Sequence, residues 1–301
     1  MPAAVVTIPG SSLPTALERR FEVTISPGKI VVDGVQHEVK DGIAYEQVLA
    51  WVKQAREHPH VLGTSAAEFV SLFQRLARNT DTIIVLLPHR NLIGTHAAAT
   101  AARDALRGAA STRGVQIHLE EADPSDGALG LLVAFVGTSL EAGQSVAATL
   151  SAARKFDADG TFILHVQTLD FLVKIRRASF LKSAVANALG RRPLLSTRNG
   201  AIESIGTVST SANIPKTLVD KAVERLGPKR TVWAAITHAD ALARAKAVEK
   251  RLREVYDVRF SYVQSTAAAL FLGVGPGAVG LYVRPIDGLP FDPGLPPKMH
   301  D

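Results

Sequence analysis

Residues 82–87 form a continuous apolar run, Thr-Ile-Ile-Val-Leu-Leu. Such a run is typical of a β-strand that is covered on both faces, as in parallel sheets flanked by helices. The sequence predicts an alanine-rich helix from about Thr95 to Gly108, then a strand over 115–119. The next helix is expected to open at Thr138, where Thr-Ser-Leu-Glu forms a capping box. The first half of the chain is therefore predicted to be of α/β type.

The second half begins after a predicted linker near residues 157–160. A strand is expected over 161–166, and the Asn199-Gly200 pair predicts a β-hairpin. A helix is predicted with Pro215 in its first turn and Gly227 at its end. A strand, a helix and another strand are predicted to follow it. We expect an N-terminal, mostly parallel α/β domain, a C-terminal α+β domain and a Pro-rich, poorly ordered tail. Their predicted ranges are 1–156, 157–290 and 291–301.

The segment Gly275–Gly280 matches G-x-G-x-x-G, the pattern of dinucleotide-binding loops. That site needs a helix after the glycines, whose N-terminus holds the pyrophosphate. Here Pro276 removes a backbone donor, and the residues that follow, 281–285, have the pattern of a strand. The sequence therefore argues against a nucleotide site and leaves open what else needs these glycines.

The net charge of +6 is concentrated in one segment. Residues 174–192 contain six Lys and Arg residues and no Asp or Glu, so the remainder of the chain is neutral. Such a patch can steer an anionic ligand or partner, or it can be an ordinary solvated surface. Nucleic acid is disfavoured because interleaved aromatic residues are few.

Other classes of protein are disfavoured by composition. The chain contains no cysteine, which excludes disulfides and thiolate chemistry. No apolar run reaches the roughly 18 residues of a membrane span, and the N-terminus lacks the pattern of a signal peptide. Nine histidines occur without the spacing of a metal site, and no nucleophile elbow is present. We expect a cytoplasmic protein without a cofactor or metal.

Three segments are candidates for holding an anion. Ser65 and Glu68 form a capping box, and a capped helix N-terminus can also bind an anion. The loop 88–94 follows a buried strand, at the edge of the sheet where α/β proteins bind ligands, and Arg90 in it could hold a carboxylate. In the glycine-rich segment Gly275–Gly280, the absence of side chains lets a ligand or another stretch of backbone approach closely.

The order of these segments resembles the DegV family of bacterial lipid-binding proteins, which includes the fatty-acid-binding subunit of fatty acid kinase. The similarity extends from about Leu13 to Pro285. The matching motifs are Leu13-Pro14, Val32-Asp33-Gly34, Asp41-Gly42-Ile43, Thr64-Ser65 with Phe69, Leu92-Ile93-Gly94-Thr95, Gly127–Val133, Thr168-Leu169 with Phe171-Leu172, Arg192-Pro193 with Asn199-Gly200, and Gly275–Leu281. Arg177 falls on the arginine of the family's G-G-R-I turn.

The resemblance implies a two-domain fold with a fatty acid in a tunnel between the domains. Its carboxylate is expected near the Thr-Ser turn, the L-S-G-T-like loop and the closing glycines. A kinase partner would phosphorylate that carboxylate, so this chain is expected to be a carrier and not an enzyme. The expected head-group residues are Thr64, Ser65, Arg90, Asn91, Gly94, Thr95, Gly273 and Gly275. The expected partner-facing basic residues are Lys174, Arg176, Arg177, Arg191 and Arg192.

The sequence departs from the family pattern at several head-group positions. Hydroxyl and imidazole groups are replaced at Ile8-Pro9-Gly10, His89-Arg90-Asn91, Ile93 and Gly273, and an aspartate is replaced by Gln167. We expect Arg90 to take over the carboxylate if the ligand is still anionic. Two alternatives stay open: a divergent member that binds another anionic amphiphile or only a protein partner, and an enzyme similar to dihydroxyacetone kinase.

Overall fold

The computed structural model describes residues 3–39, 43–175 and 192–296. The strands are β1 Ala4–Thr7, β2 Thr24–Ile25, β3 Lys29–Val32, β4 Val35–Glu38, β5 His60–Leu62, β6 Thr82–Pro88, β7 Gln116–Ala122, β8 Thr161–His165, β9 Arg192–Arg198, β10 Ala201–Val208, β11 Thr231–His238, β12 Asp257–Ser265 and β13 Val279–Pro285. The helices are α1 Thr15–Arg20, α2 Tyr45–Gln54, α3 Ala66–Leu76, α4 Thr95–Ala105, α5 Gly127–Glu141, α6 Val146–Ala158, α7 Asp170–Lys174, α8 Ile214–Leu226, α9 Leu242–Arg253 and α10 Ala268–Val274.

A parallel sheet forms the first half, with the strand order β2-β1-β6-β7. Strand β6 is buried from Ile83 to Pro88, as the apolar run predicts. Its register aligns Val85 with Val6 of β1 and with Leu119 of β7. The predicted α/β fold of this half is confirmed.

A mixed six-stranded sheet forms the second half, in the order β10-β9-β8-β13-β11-β12. Only the β11–β12 pair is parallel. Asn199 and Gly200 both have positive φ, 52° and 72°, which is the backbone of the tight turn that joins β9 to β10. The predicted hairpin is confirmed.

A small antiparallel sheet, β4-β3-β5, was not predicted from the sequence. Its strands are only three or four residues long, and most of β4 and all of β5 are exposed. Short exposed strands carry little hydrophobic periodicity, which is the signal that sequence analysis uses.

Helix α5 lies between the two large sheets. Every residue from Gly127 to Leu140 is buried, and the helix contacts β6 and β7 on one side and β11 and β13 on the other. A helix that is apolar on all sides is stable only when other elements bury it on both sides. One hydrophobic cluster consequently runs from the first half, at Val5, to the second half, at Tyr282.

The prediction of a helix that opens at Thr138 is wrong. Thr138 and Ser139 lie inside α5 and are buried, and the next helix begins after Ser145, whose Oγ accepts a hydrogen bond from Ala148 N at 3.2 Å. The capping-box pattern therefore occurred by chance within an apolar helix.

The division into domains at residues 156 and 157 is retained as a proposal, since one large sheet precedes it and the other follows it. Within the described part of the predicted tail, residues 291–296, the ring of Phe291 stacks on that of Phe135, with 6.3 Å between the ring centres. Among the described residues, no helix has both the length and the apolar character of a membrane span.

Gly130 is expected to tolerate no side chain, because α5 approaches its neighbours closely there. A Cβ at this position would lie 2.6 Å from the Ser11 carbonyl oxygen and would also collide with the Tyr262 hydroxyl. We expect Gly130→Ala to lower the free energy of unfolding by about 1–3 kcal/mol, measured by urea denaturation. The control is Gly288→Ala, where the nearest atom would lie 3.9 Å away. Equal stability of the two variants would contradict this account of the packing of α5.

Candidate functional site

A cavity of about 860 Å³ lies between the two halves of the protein. It falls within the range of about 300–1,000 Å³ that is common for small-molecule sites. Much of its wall is apolar and comes from both halves. Side chains in this wall include Ile93, Phe162, Leu164, Leu172, Ile202 and Leu272. The cavity can therefore accommodate a large apolar ligand or the chain of an amphiphile.

Two threonines form a polar corner in this wall. Thr64 and Thr95 are buried, each with 3% of its surface exposed. The Thr64 hydroxyl bonds to Ser26 Oγ at 2.7 Å and donates to the Pro27 carbonyl oxygen. Thr95 Oγ1 has no hydrogen-bond partner among the residues that the structure describes. This hydroxyl is therefore available to a ligand, next to the N-terminus of α4.

Glycine at position 63 makes the threonine corner possible. A Cβ there would lie 2.7 Å from Thr95 Oγ1. The missing side chain thus lets the chain before α3 approach the start of α4. This brings together Thr64 and Thr95, two of the predicted head-group residues.

Lysine and histidine side chains also line the cavity. Lys29 Nζ contacts Glu68 Oε1 at 3.1 Å, and His58 Nε2 lies 2.9 Å from the Leu272 carbonyl oxygen. Exposed His60 and Lys174 are further wall residues, and Lys174 Nζ lies 5.9 Å from the centre of the Phe171 ring. Lys174 thus belongs to the cavity as well as to the predicted basic patch.

Asp126 lies in another part of the wall and is surrounded by hydroxyl groups. Thr237 and Tyr282 donate to its Oδ2 at 2.6 and 2.7 Å, and Thr266 donates to its Oδ1 at 3.1 Å. Ser12 Oγ also donates to Oδ1 and accepts from the backbone of Ala267 at 2.9 Å. We call Ser12, Asp126, Thr237, Thr266 and Tyr282 the Asp126 network.

Burial raises the pKa of Asp126, and the four hydroxyl donors only partly offset this. The network joins the loop before α5 in the first half to β11, the end of β12 and β13 in the second half. Sequence analysis missed it because each partner is more than 100 residues from Asp126. No local pattern signals such a cluster.

Ser65 does not reach the cavity. Its backbone nitrogen donates to the Glu68 carboxylate at 2.8 Å, and its hydroxyl caps α3 by accepting from Glu68 N at 3.2 Å. The predicted capping box is confirmed. Glu68 lies at this helix N-terminus as part of the capping box, and the anion site predicted there stays a prediction.

Arg90 and Asn91 also lie away from the wall. Arg90 holds Glu121 in a bidentate pair, with Nε at 3.1 Å and Nη2 at 2.9 Å from the carboxylate. Asn91 Nδ2 donates to the Asn199 carbonyl oxygen at 3.0 Å, which ties the loop to the hairpin. Both side chains make contacts within the protein, and their predicted role at a ligand stays a prediction.

Of the predicted glycines, only Gly273 faces the cavity, where a Cβ would lie 2.7 Å from Ile175 Cδ1. Gly94 is exposed before α4, outside the wall. Gly275 has a positive φ of 69°, and its open side receives the ring of Phe171. Strand β13 follows directly, which confirms that this glycine segment has no helix after it.

The predicted basic patch is only partly described. Arg176, Arg177 and Arg191 lie outside the described residues. Arg192 is partly exposed, and its Nε donates to Gln167 Oε1 at 3.1 Å. Among the described residues, His, Asp and Glu form no group of three that could hold a metal ion.

Comparison with protein families gives a match over residues 2–285 to the model described as an uncharacterised protein of the DegV family. A DegV domain-containing protein of Streptomyces coelicolor is 29% identical over 283 residues, which covers 93% of this chain and 97% of the relative. A protein of Thermotoga maritima named a fatty acid-binding protein is 23% identical over 248 residues, covering 80% and 84%.

Solved structures show the same fold. A DegV family protein from Thermus thermophilus, described as binding fatty acid, superposes with a TM-score of 0.86 at 20% identity, covering 95% of this chain and all of the other. A DegV lipid-binding protein from Thermotoga maritima gives 0.80 at 21% identity, covering 95% and 99%. The predicted fold class is confirmed.

Asp126→Asn is expected to destabilise the protein, because an amide cannot accept all four hydroxyl donors. Two hydroxyls would face the new NH2 group, and we expect a loss of about 2–4 kcal/mol in the free energy of unfolding. The control is Asp104→Asn on the exposed face of α4, with an expected change within about 0.5 kcal/mol. Chemical denaturation of both variants at pH 7 measures the difference. A loss at Asp126 no larger than that at Asp104 would show that the network is not stabilising.

Proposed function

The chain belongs to the DegV family, and on that premise we propose that it binds a long-chain fatty acid in the cavity between its two halves. The observation that carries the proposal is the cavity itself, which combines a long apolar wall with the unpartnered hydroxyl of Thr95. The fatty-acid-binding relatives with the same fold support it. Binding without catalysis agrees with the way these relatives are described.

The acyl chain is assigned to the apolar wall. Phe162 and Leu164 of β8, Leu172 of α7 and Leu272 of α10 contribute to it. Burial of apolar area yields about 25 cal/mol per Å², so a long methylene chain gains most of its affinity here. The apolar wall therefore determines the class of ligand, and the corner formed by Thr64 and Thr95 determines the orientation of the ligand.

The carboxylate is assigned to the threonine corner. Thr95 Oγ1 can donate to it, and the free N–H groups at the start of α4 favour a negative charge. Lys174 adds a positive charge to the wall, whereas the charge of Lys29 is paired with Glu68. The part of the cavity wall around Asp126 is unsuited to the carboxylate of the ligand, since two buried carboxyl groups would repel each other when both are ionised.

We further propose that the bound carboxylate is presented to a kinase partner through the basic surface that includes Lys174 and Arg192. The family resemblance supports this step, together with the position of Lys174 between the cavity and the surface. Arg176, Arg177 and Arg191 would complete that surface. A cytoplasmic location remains part of the same proposal.

Filling the cavity is expected to abolish lipid binding. Ala269 of α10 lines the wall, and Ala269→Phe would place a ring in the space of the acyl chain. Native mass spectrometry of the purified wild type should show a bound mass in the fatty-acid range, and the variant should lack it. The control Ala101→Phe, on the exposed side of α4, should retain it. Ligand-free wild type that also fails to bind added fatty acid would overturn the proposed function.

Removal of the free hydroxyl tests the position of the carboxylate. Thr95→Val keeps the shape of the side chain, and loss of one hydrogen bond to a charged group, about 1.5–3 kcal/mol, should weaken binding at least tenfold. Thr100→Val on the same helix is the control, because Thr100 Oγ1 contacts only His96 Nδ1, at 3.4 Å. Titration with a fluorescent fatty acid measures both affinities. Unchanged affinity in Thr95→Val would place the head group elsewhere.

A further inference from the structure

A second cluster of polar groups lies on the side of β8 that faces away from the cavity. Phe162 and Leu164 line the cavity, so the alternation of the strand directs Ile163 and His165 to the other face. Ile163 belongs to the hydrophobic cluster beneath α8 and α9. None of the residues of this second site (His165, Gln167, Arg192 and Arg244) lines the cavity.

Strand pairing brings these residues together. His165 is aligned with Leu194 of β9 and Val279 of β13. Arg192 and Gly277 each lie two positions before those partners, so they share one end of the sheet. Gln167 packs there because Gly277 has no side chain; a Cβ would lie 2.7 Å from Gln167 Cγ.

Both arginines of the second site have only neutral partners. Arg192 donates to Gln167 Oε1 at 3.1 Å and to the Ser209 carbonyl oxygen at 3.4 Å. Arg244 donates to the Gly277 carbonyl oxygen at 2.7 Å. Neither guanidinium has an ion pair within the described part of the chain, whereas Arg90, Arg154, Arg230 and Arg284 each hold a carboxylate. The undescribed stretch 176–191, which lies between α7 and β9 in the chain, contains no Asp or Glu.

His165 lies beneath the two arginines with no solvent exposure. Neither ring nitrogen forms a hydrogen bond of good geometry with any described residue, but the ring lies close enough to the Gly277 backbone for this contact to raise its pKa slightly. Burial, followed by the charges of Arg244 and Arg192, lowers the pKa of His165 to about 4. The imidazole is therefore neutral at pH 7, and a neutral ring can donate through one nitrogen and accept through the other.

The first turn of α9 supplies further donors. Arg244 lies in this turn, which contains no acidic residue, and its N-cap Ala241 has no capping side chain. The helix has 12 residues, and the N–H groups of its first turn have no partner among the described residues. Asp240, the acidic residue next to it, interacts with Tyr45 instead.

We propose that Arg192, Arg244, His165 and the first turn of α9 form a binding site for a phosphate group, separate from the cavity. Two guanidinium forks and the helix N–H groups offer more donors than one carboxylate can accept, and they suit a tetrahedral dianion. The helix dipole favours the same charge. Binding of such an anion would give both arginines a charged partner in addition to their neutral ones, and would give the His165 ring a hydrogen-bond partner.

Isothermal titration with inorganic phosphate tests this site on the complete protein in a phosphate-free chloride buffer. We expect the wild type to bind phosphate, and Arg192→Gln and Arg244→Gln each to weaken binding about tenfold or more. Gln167→Glu keeps the shape of the side chain but places a carboxylate against Arg192, and we expect the same loss. The matched control is Arg253→Gln on α9, because Arg253 is paired with Glu249 at 3.1 Å. It should bind like the wild type.

A second titration uses phenyl phosphate and distinguishes a free anion from a phosphate carried by a larger molecule. Tighter binding of phenyl phosphate, lost in the same variants, would assign the site to a phosphomonoester, and preference for inorganic phosphate would assign it to the free ion. The proposal is overturned if the wild type binds neither probe, or if the arginine variants retain wild-type affinity while circular dichroism shows them folded. Lipid binding plays no part in these measurements, so failure here leaves the proposed function untouched.

Discussion

The packing of α5 between the two large sheets is the constraint on which the rest of the structure depends. Because this helix is apolar on every side, it must be covered by both halves of the chain at once. Close approach requires glycine where Ser11, Phe21 and Tyr282 contact the helix. The two halves are therefore held at a fixed spacing, and the cavity is the space left between them beyond the start of α5.

The start of α5 also explains why a carboxylate is buried there. Asp126 precedes the helix with a positive φ of 63°, and the helix dipole favours its negative charge while burial opposes it. Hydroxyl donors from the second half satisfy the carboxylate without adding a countercharge. The network thus links the two halves and places in the cavity wall a carboxyl group whose oxygens already accept hydroxyl donors.

Most of the fold could be predicted from the sequence because its elements carry local signals. The apolar run of β6, the Asn199-Gly200 turn and the Pro215–Gly227 helix boundaries all appear where periodicity and turn chemistry place them. The candidate site was predicted less well, since Arg90 and Ser65 have partners, Glu121 and Glu68, that occupy them in the folded protein. Whether a charged side chain is free for a ligand depends on long-range pairing, which local patterns do not report.

Strand β8 links the two proposed sites. Its alternate residues face the cavity through Phe162 and Leu164 and the opposite side through His165, so both sites depend on the pairing of β8 with β13. The glycine segment before β13 serves each side: Gly273 opens the cavity wall, and Gly277 makes room for Gln167 and accepts from Arg244. These glycines resemble a nucleotide-binding loop in sequence because both need close approach to the backbone.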